Sequence, residues 1–240
     1  AGITNRLLGS KASRICVAYQ GMEKYFSPDK ILITGNPVRK DVLNCKDKKT
    51  EGLEHFGFNH TEPVVLILGG SLGAGTINET LQNSLHRIPP SVQLLWQTGR
   101  NYFNRANESV RKSGNSNIRV VPFITKMGLA FGCADIVVSR AGAGTISELA
   151  VAAKPVILIP SPNVAEDHQY KNANALVQLD AALLVKDEEA SVKLIDMVME
   201  LINNKDLKTK LSENIRKYAV PDAADQIANE ILKIAGFERQ

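Results

Sequence analysis

Residues 64–75 have the sequence VVLILGGSLGAG, in which a short apolar run is followed directly by a glycine-rich segment. Five consecutive apolar residues predict a buried β-strand, and Thr76-Ile77-Asn78 after the glycines predict the start of a helix. Glycine lets backbone N–H groups approach an anion, and a helix N-terminus carries partial positive charge, so the turn favours a phosphate ligand. A turn that only packs tightly has the same pattern.

This glycine-rich turn matches neither of the common nucleotide-binding motifs. It lacks the Gly-Lys-Ser/Thr ending of a P-loop and does not follow the G-x-G-x-x-G spacing of dinucleotide-binding turns. Neither ATP hydrolysis nor NAD binding is therefore supported by its sequence.

Apolar runs alternate with amphipathic stretches from residue 63 onward, which predicts a parallel sheet covered by helices on both faces. The short connections and the length favour an α/β doubly wound, Rossmann-like sheet over a TIM barrel. The predicted strands are residues 64–68, 92–97, 118–123, 135–139, 156–159 and 182–185. The tail is predicted as three helices, at 191–203, 206–218 and 222–234, with Ser or Asp at their N-caps.

The amino-acid composition limits the classes of protein to which the chain can belong. The chain has 240 residues, 44% of them hydrophobic, so it has enough apolar mass for a sizeable core and is neither disordered nor disulfide-stapled. The net charge of +4 is scattered, and without a concentrated basic stripe no nucleic-acid partner is expected. A small basic excess near the start favours an anionic membrane surface or is simply a solvated face; it comprises Arg6, Lys11, Arg14 and Lys24.

Cysteine spacing and hydropathy indicate a soluble or at most peripheral protein. Cys16, Cys45 and Cys133 show no paired spacing, so we expect reduced cytoplasmic thiols rather than a zinc site or disulfides. No apolar run approaches the ~20 residues that span a bilayer, and no signal peptide is evident.

The first fifty residues indicate a fragment whose beginning lies elsewhere. The chain starts at Ala1 without methionine, and β-rich runs at 13–19 and 30–35 are expected to be the closing strands of a sheet. The polar, lysine-rich stretch 44–51 lacks apolar periodicity and is predicted to be a linker.

Two further loops follow predicted strands, where open parallel sheets bind ligands. Residues 139–148, SRAGAGTISE, predict the start of a helix. In one interpretation Thr145 or Ser147 caps this helix. In the other, its backbone N–H groups face a diphosphate and the Glu148 carboxylate accepts hydrogen bonds from a ribose diol. Residues 160–173, PSPNVAEDHQYKNA, are rich in hydrogen-bonding side chains that suit a sugar. No Ser or Cys in the sequence forms a convincing nucleophile pair with His168, which is more often a surface or capping histidine than a base, and no metal-ligand cluster is evident.

Four motifs in register resemble the MurG family of glycosyltransferases, whose members have two Rossmann-like domains in the GT-B arrangement. The motifs are Gly35-Asn36-Pro37-Val38-Arg39, the segment from Leu68 to Ala74, Ser139-Arg140-Ala141-Gly142-Ala143 with Thr145 and Glu148, and His168-Gln169 followed by Asn172-Ala173. The resemblance covers nearly the whole chain and implies that most of the N-terminal domain is missing. It implies an acceptor-domain remnant at 1–43, a donor domain at 44–220 and a terminal helix at 221–240 that packs back toward the N-terminal domain.

The resemblance also implies a UDP-GlcNAc site in the C-terminal domain. Its residues are Phe123 and Ile124 for uracil, with the Ile124 backbone reading the base edge, Ser71, Arg39, Gly142, Ala143 and Thr145 for the diphosphate, Glu148 for the ribose, and Gln169 and Asn172 for the GlcNAc hydroxyls. His168 stands where some relatives have a second glutamine, and its position faces the donor, so it is not expected to be the general base. No catalytic base is assigned, because the resemblance places it in the missing segment.

The implied activity is transfer of GlcNAc from UDP-GlcNAc to the lipid-linked muramoyl-pentapeptide of peptidoglycan synthesis, with inversion at the anomeric carbon. No cofactor or metal is expected. The lipid acceptor would bind through the missing domain, at the cytoplasmic face of the bacterial inner membrane, and the fragment alone would be inactive. Two alternatives remain: an isolated nucleotide-sugar binding module, and a UDP-GlcNAc 2-epimerase with the same two-domain architecture.

Overall fold

The computed structural model describes residues 2–70, 74–164 and 167–237. The chain divides into two compact units, a smaller one formed by residues 1–38 with 220–240 and a larger one formed by residues 39–219. The functional roles assigned above to residues 1–43, 44–220 and 221–240 stay predictions.

The described elements alternate as the sequence predicts. In chain order they are α1 Ile3–Gly9, β1 Ile15–Val17, β2 Ile31–Ile33, α2 Lys40–Leu43, α3 Lys49–Phe56, β3 Val64–Leu68, α4 Gly75–Asn83, β4 Gln93–Gln97, α5 Phe103–Ser113, β5 Ile118–Val121, α6 Met127–Cys133, β6 Ile136–Ser139, α7 Ala143–Ala152, β7 Val156–Leu158, α8 His168–Val177, β8 Leu183–Leu184, α9 Ala190–Asn203, α10 Lys205–Arg216 and α11 Ala223–Ile234. All six predicted strands of the larger unit form, with several ends trimmed by one or two residues.

The larger unit is built on a six-stranded sheet in the order β5-β4-β3-β6-β7-β8. Every neighbouring pair in it is parallel. The chain moves outward from β3 to β5 and then returns to place β6 on the other side of β3. The strand order therefore reverses between β3 and β6, and the predicted doubly wound, Rossmann-like α/β class is confirmed.

One face of the sheet packs on α4, α5 and α9. Alternate residues of β3, Val65 and Ile67, enter this core together with Ile77 of α4 and Leu194 of α9. Trp96 of β4 is fully buried in the same core, and its indole N–H donates to Asn78 Oδ1 at 2.9 Å. Burial on both faces explains why the central strands are continuous apolar runs rather than alternating ones.

The opposite face is covered in part by α6, against which α2 and α3 pack. The contact is close, because a Cβ on Gly128 of α6 would lie 2.1 Å from the Asp41 backbone oxygen. The Asp41 carboxylate accepts from the Gly128 backbone N–H at 2.7 Å. The linker predicted at 44–51 is therefore wrong, since this stretch includes the fully buried Cys45 and the start of α3. It lacks apolar periodicity because backbone and glycine contacts replace a stripe of large side chains.

The smaller unit has a two-stranded parallel sheet in which Ile15 of β1 pairs with Ile31 of β2. Both strands fall within the predicted β-rich runs. The Arg14 guanidinium contacts the Glu230 carboxylate of α11 at 2.9 Å and also donates to the Asp29 carbonyl. Across the part of the chain that the structure describes, no helix has the length and apolar character needed to cross a membrane.

Candidate functional site

The candidate site lies at the carboxyl edge of the sheet, where the strand order reverses. Leu68 at the end of β3 pairs with Ser139 at the end of β6, so the glycine-rich turns that follow them begin side by side. Each turn leads into a helix, α4 or α7, whose N-terminus starts at this edge. Open parallel sheets bind their ligands in this crevice, so the candidate site is placed here.

The first turn approaches the backbone of β4 closely. The Gly69 N–H donates to the Gln97 carbonyl at 2.9 Å, and a Cβ on Gly69 would lie 2.8 Å from that oxygen. Gly70 has φ +74°, a left-handed conformation that favours glycine. Ser71 lies outside the described residues, so its contact with a diphosphate stays a prediction.

The second turn leads directly into α7, which begins at Ala143 with Gly142 as its N-cap. The predicted capping by Thr145 or Ser147 is wrong, because both residues lie inside the helix and the Ser147 hydroxyl donates back to the Ala143 carbonyl. The first N–H groups of a helix have no intrahelical acceptor and can face an anion. Diphosphate binding by Gly142, Ala143 and Thr145 stays a prediction.

Two side chains of α8 hold the second turn in place. Gln169 Oε1 accepts from the Ala141 N–H at 3.2 Å and from the Ser161 N–H at 2.9 Å. Asn172 Nδ2 donates to the Ala141 carbonyl at 3.2 Å. The two residues predicted to bind GlcNAc hydroxyls thus fix the peptide beside the α7 N-terminus. Their contact with the sugar stays a prediction, and for Gln169 it would use the amide nitrogen.

A hydrogen-bond network that no sequence motif predicts links both turns to a distant segment. Arg140 Nη1 donates to the Ile159 and Pro160 carbonyls, at 3.1 and 3.2 Å, and pairs with the Asp187 carboxylate. The other Asp187 oxygen accepts from the Thr76 hydroxyl at 2.7 Å, in the first turn of α4. Asp187 therefore connects the two turns at the carboxyl edge. Arg140 belongs to the motif Ser139-Arg140-Ala141-Gly142-Ala143, but no local pattern predicts its pairing with an aspartate 47 residues away.

Glu148 lies in the second turn of α7 and is paired with Arg39, the N-cap of α2. The distance from Arg39 Nε to Glu148 Oε1 is 3.1 Å. Burial raises the pKa of the Glu148 carboxyl above its usual value, while the Arg39 charge and a hydrogen bond from the Arg39 backbone lower it. The structure thus brings together two predicted site residues that the resemblance had assigned to different parts of the donor.

The predicted uracil contacts lie beyond the end of β5, which stops at Val121 rather than at Phe123. Phe123 is 45% exposed, whereas Ile124 is buried with its N–H donating to Gln97 Oε1 at 3.3 Å. Both line a cavity of about 320 Å³. In the sheet β5 is three strand spacings from β6, roughly 14 Å. Base recognition by Ile124 stays a prediction, and it would use the carbonyl, because the N–H is already bonded.

The doubly wound parallel sheet, with glycine turns that lead into helices at its carboxyl edge, defines an α/β domain of the Rossmann-like class. The comparisons with known proteins give its family. Residues 64–227 match the glycosyltransferase family 28 C-terminal domain. The chain belongs to this family and has the fold of the C-terminal domain of a GT-B glycosyltransferase.

Named relatives agree with this assignment. The chain is 52% identical over 238 residues to the UDP-N-acetylglucosamine–N-acetylmuramyl-(pentapeptide) pyrophosphoryl-undecaprenol N-acetylglucosamine transferase of Bacteroides fragilis. It is 49% identical to the transferase of the same name from Porphyromonas gingivalis. The match covers 98% and 100% of this chain but only 63% and 64% of those relatives. The crystal structure of Acinetobacter baumannii MurG aligns at a TM-score of 0.72 with 27% identity, over 97% of this chain and 64% of that one.

Proposed function

We propose that this chain provides the UDP-GlcNAc-binding part of an inverting N-acetylglucosaminyltransferase. The acceptor is the lipid-linked muramoyl-pentapeptide of peptidoglycan synthesis, as the names of the relatives indicate. The observation that carries the proposal is the anchored start of α7. Gln169 and Asn172 hydrogen-bond to the Ala141 N–H and carbonyl just before the helix. Glu148, which is paired with Arg39, lies one turn inside it. In UDP-GlcNAc the diphosphate joins the ribose to the sugar, so the proposal places the diphosphate at the α7 N-terminus, the ribose at Glu148 and the sugar at Gln169 and Asn172.

The reaction is a direct displacement at the anomeric carbon. The muramoyl hydroxyl forms a bond to this carbon as the bond to the UDP oxygen breaks, and UDP leaves with the electron pair. The hydroxyl proton passes to a general base, for which no residue of this chain is assigned. The proposed contribution of this chain is to stabilise the charge that develops on the diphosphate, through helix N–H groups, Ser71 and Arg39. The absence of a cofactor or metal requirement stays part of the proposal.

Ligand titration tests the proposed site directly. Calorimetry of the 240-residue chain with UDP, UDP-GlcNAc, NAD and ATP is expected to detect binding of the two uridine ligands alone. Binding also increases the free energy of unfolding, by about 2.7 kcal/mol at a ligand concentration 100 times Kd, and so raises the unfolding temperature. Indifference to both uridine ligands would remove the proposed donor site.

A Glu148→Ala variant tests the ribose contact. Loss of hydrogen bonds to a charged acceptor is worth about 1.5–3 kcal/mol, so the affinity for UDP is expected to fall roughly 10- to 100-fold. The matched control is Glu108→Ala, which removes a glutamate from an exposed helical pair with Lys112. If Glu148→Ala lowers the melting temperature but leaves affinity per folded molecule unchanged, Glu148 is structural.

Activity measurements separate the remaining alternatives. We propose that the chain acts at the cytoplasmic face of the bacterial inner membrane and transfers GlcNAc only when joined to an acceptor-binding domain. Comparing turnover of this chain with that of a longer protein carrying such a domain tests this, and equal turnover would contradict it. Product analysis with UDP-GlcNAc alone tests the epimerase alternative, because epimerisation needs no lipid acceptor.

A further inference from the structure

Building on the proposed nucleotide-sugar site, we infer that Arg39 is a positioning residue for ribose recognition. It holds the Glu148 carboxylate in the orientation that receives the ribose hydroxyls. Its contribution to binding therefore includes the nucleoside itself and is not confined to a contact with the diphosphate. This role differs from the one that the sequence resemblance gives to Arg39.

The geometry favours an action of Arg39 on Glu148. The Glu148 side chain is only 14% exposed and the Arg39 side chain 41%, so the glutamate is the more enclosed partner of the 3.1 Å pair. Arg39 is placed by its own segment, because Val42 of α2 is completely buried and α2 packs against α7. The Arg39 backbone also hydrogen-bonds to the Glu148 carboxylate. The carboxylate is thus held by two groups of one residue.

Electrostatics point the same way. Burial disfavours the ionised form of Glu148 and raises its pKa, and the nearby Asp41 carboxylate raises it further. The Arg39 guanidinium opposes both effects. An ionised carboxylate has about four lone-pair sites, so it can keep its Arg39 contacts and still accept from the two hydroxyls of a ribose. A protonated carboxyl would lose part of this capacity.

The two roles of Arg39 differ in how they depend on the ligand. A residue that only contacts phosphate affects UDP and leaves uridine unchanged. A residue that positions Glu148 affects uridine as well, and its effect disappears when the ribose hydroxyls or the Glu148 carboxylate are removed.

The experiment titrates uridine, 2′,3′-dideoxyuridine and UDP by NMR into wild-type protein and the variants Arg39→Gln, Glu148→Gln and the double variant. We expect Arg39→Gln to weaken uridine binding roughly five- to tenfold. The same change should have no effect on dideoxyuridine and no further effect in the Glu148→Gln background. The control is Arg87→Gln, which breaks an exposed pair with Asp196 and should change none of the affinities.

Each other outcome is decisive. If Arg39→Gln weakens UDP but leaves uridine unchanged, Arg39 acts on the phosphates alone and the inference is overturned. If it changes neither ligand, the ion pair has no part in binding. If wild-type protein binds neither uridine nor UDP, the proposed nucleotide-sugar site is refuted. This result differs from failure of the Arg39 inference, in which wild-type protein binds both ligands. Unfolding curves of each variant confirm that the folded fraction is equal in all titrations.

Discussion

Replacing Asp187 by alanine should destabilise the larger unit far more than an ordinary surface substitution. In the structure one oxygen of the Asp187 carboxylate accepts a hydrogen bond from the Arg140 guanidinium, and the other accepts one from the Thr76 hydroxyl. Its removal leaves Arg140, whose side chain is 19% exposed, without its counter-charge. The guanidinium would still donate to the Ile159 and Pro160 carbonyls. The variant thus creates an enclosed, partly satisfied cation.

The magnitude follows from this geometry. Breaking a fully buried ion pair from one side costs about 3–5 kcal/mol, and a hydrogen bond to a charged group is worth about 1.5–3 kcal/mol. Because Arg140 and Asp187 retain 19% and 18% exposure, solvent screens part of the loss. We therefore expect a loss of about 2–3 kcal/mol, which lowers the melting temperature by roughly 5–10 °C for a unit of this size.

Urea unfolding followed by tryptophan fluorescence measures this loss. Trp96 is the only tryptophan of the chain and is fully buried in β4, so its emission reports on the larger unit. The control is Asp196→Ala, which breaks an exposed Arg–Asp pair and should cost no more than about 0.5 kcal/mol. Equal shifts for Asp187→Ala and Asp196→Ala would show that enclosure adds nothing to the contribution of the Arg140–Asp187 pair.

Two further predictions concern packing. Gly128→Ala places a Cβ 2.1 Å from the Asp41 backbone oxygen, so we expect about 1–3 kcal/mol of destabilisation in the same urea assay, and an unchanged midpoint would contradict the close contact. Thiol labelling at pH 8 should modify Cys16 alone in native protein, because Cys45 and Cys133 are buried and burial raises the pKa of Cys133 to about 12. Rapid labelling of a second thiol before unfolding would contradict this.

Local sequence was sufficient to predict the strands of the larger unit. The run from Val64 to Leu68 forms a strand at its predicted bounds, because five apolar residues between a proline and two glycines are too few for a buried helix and suit a strand buried on both faces. The start of α7 was harder to predict from the sequence. The sequence allowed Thr145 or Ser147 as caps, but the helix begins at Ala143, before either of them. Helix ends depend on tertiary contacts such as the Gln169 bond to Ala141, which no local pattern reveals.

Local sequence predicts the doubly wound class, which the structure confirms, and it proposes a set of candidate site residues at one edge of the sheet. Periodicity and glycine spacing are local properties, and they act through backbone geometry that a few neighbouring residues control. The ion pairs at this edge, Arg39 with Glu148 and Arg140 with Asp187, are visible only in the folded chain. Such pairs join segments far apart in the chain, and their strength depends on enclosure, which arises only after the sheet and its helices have packed.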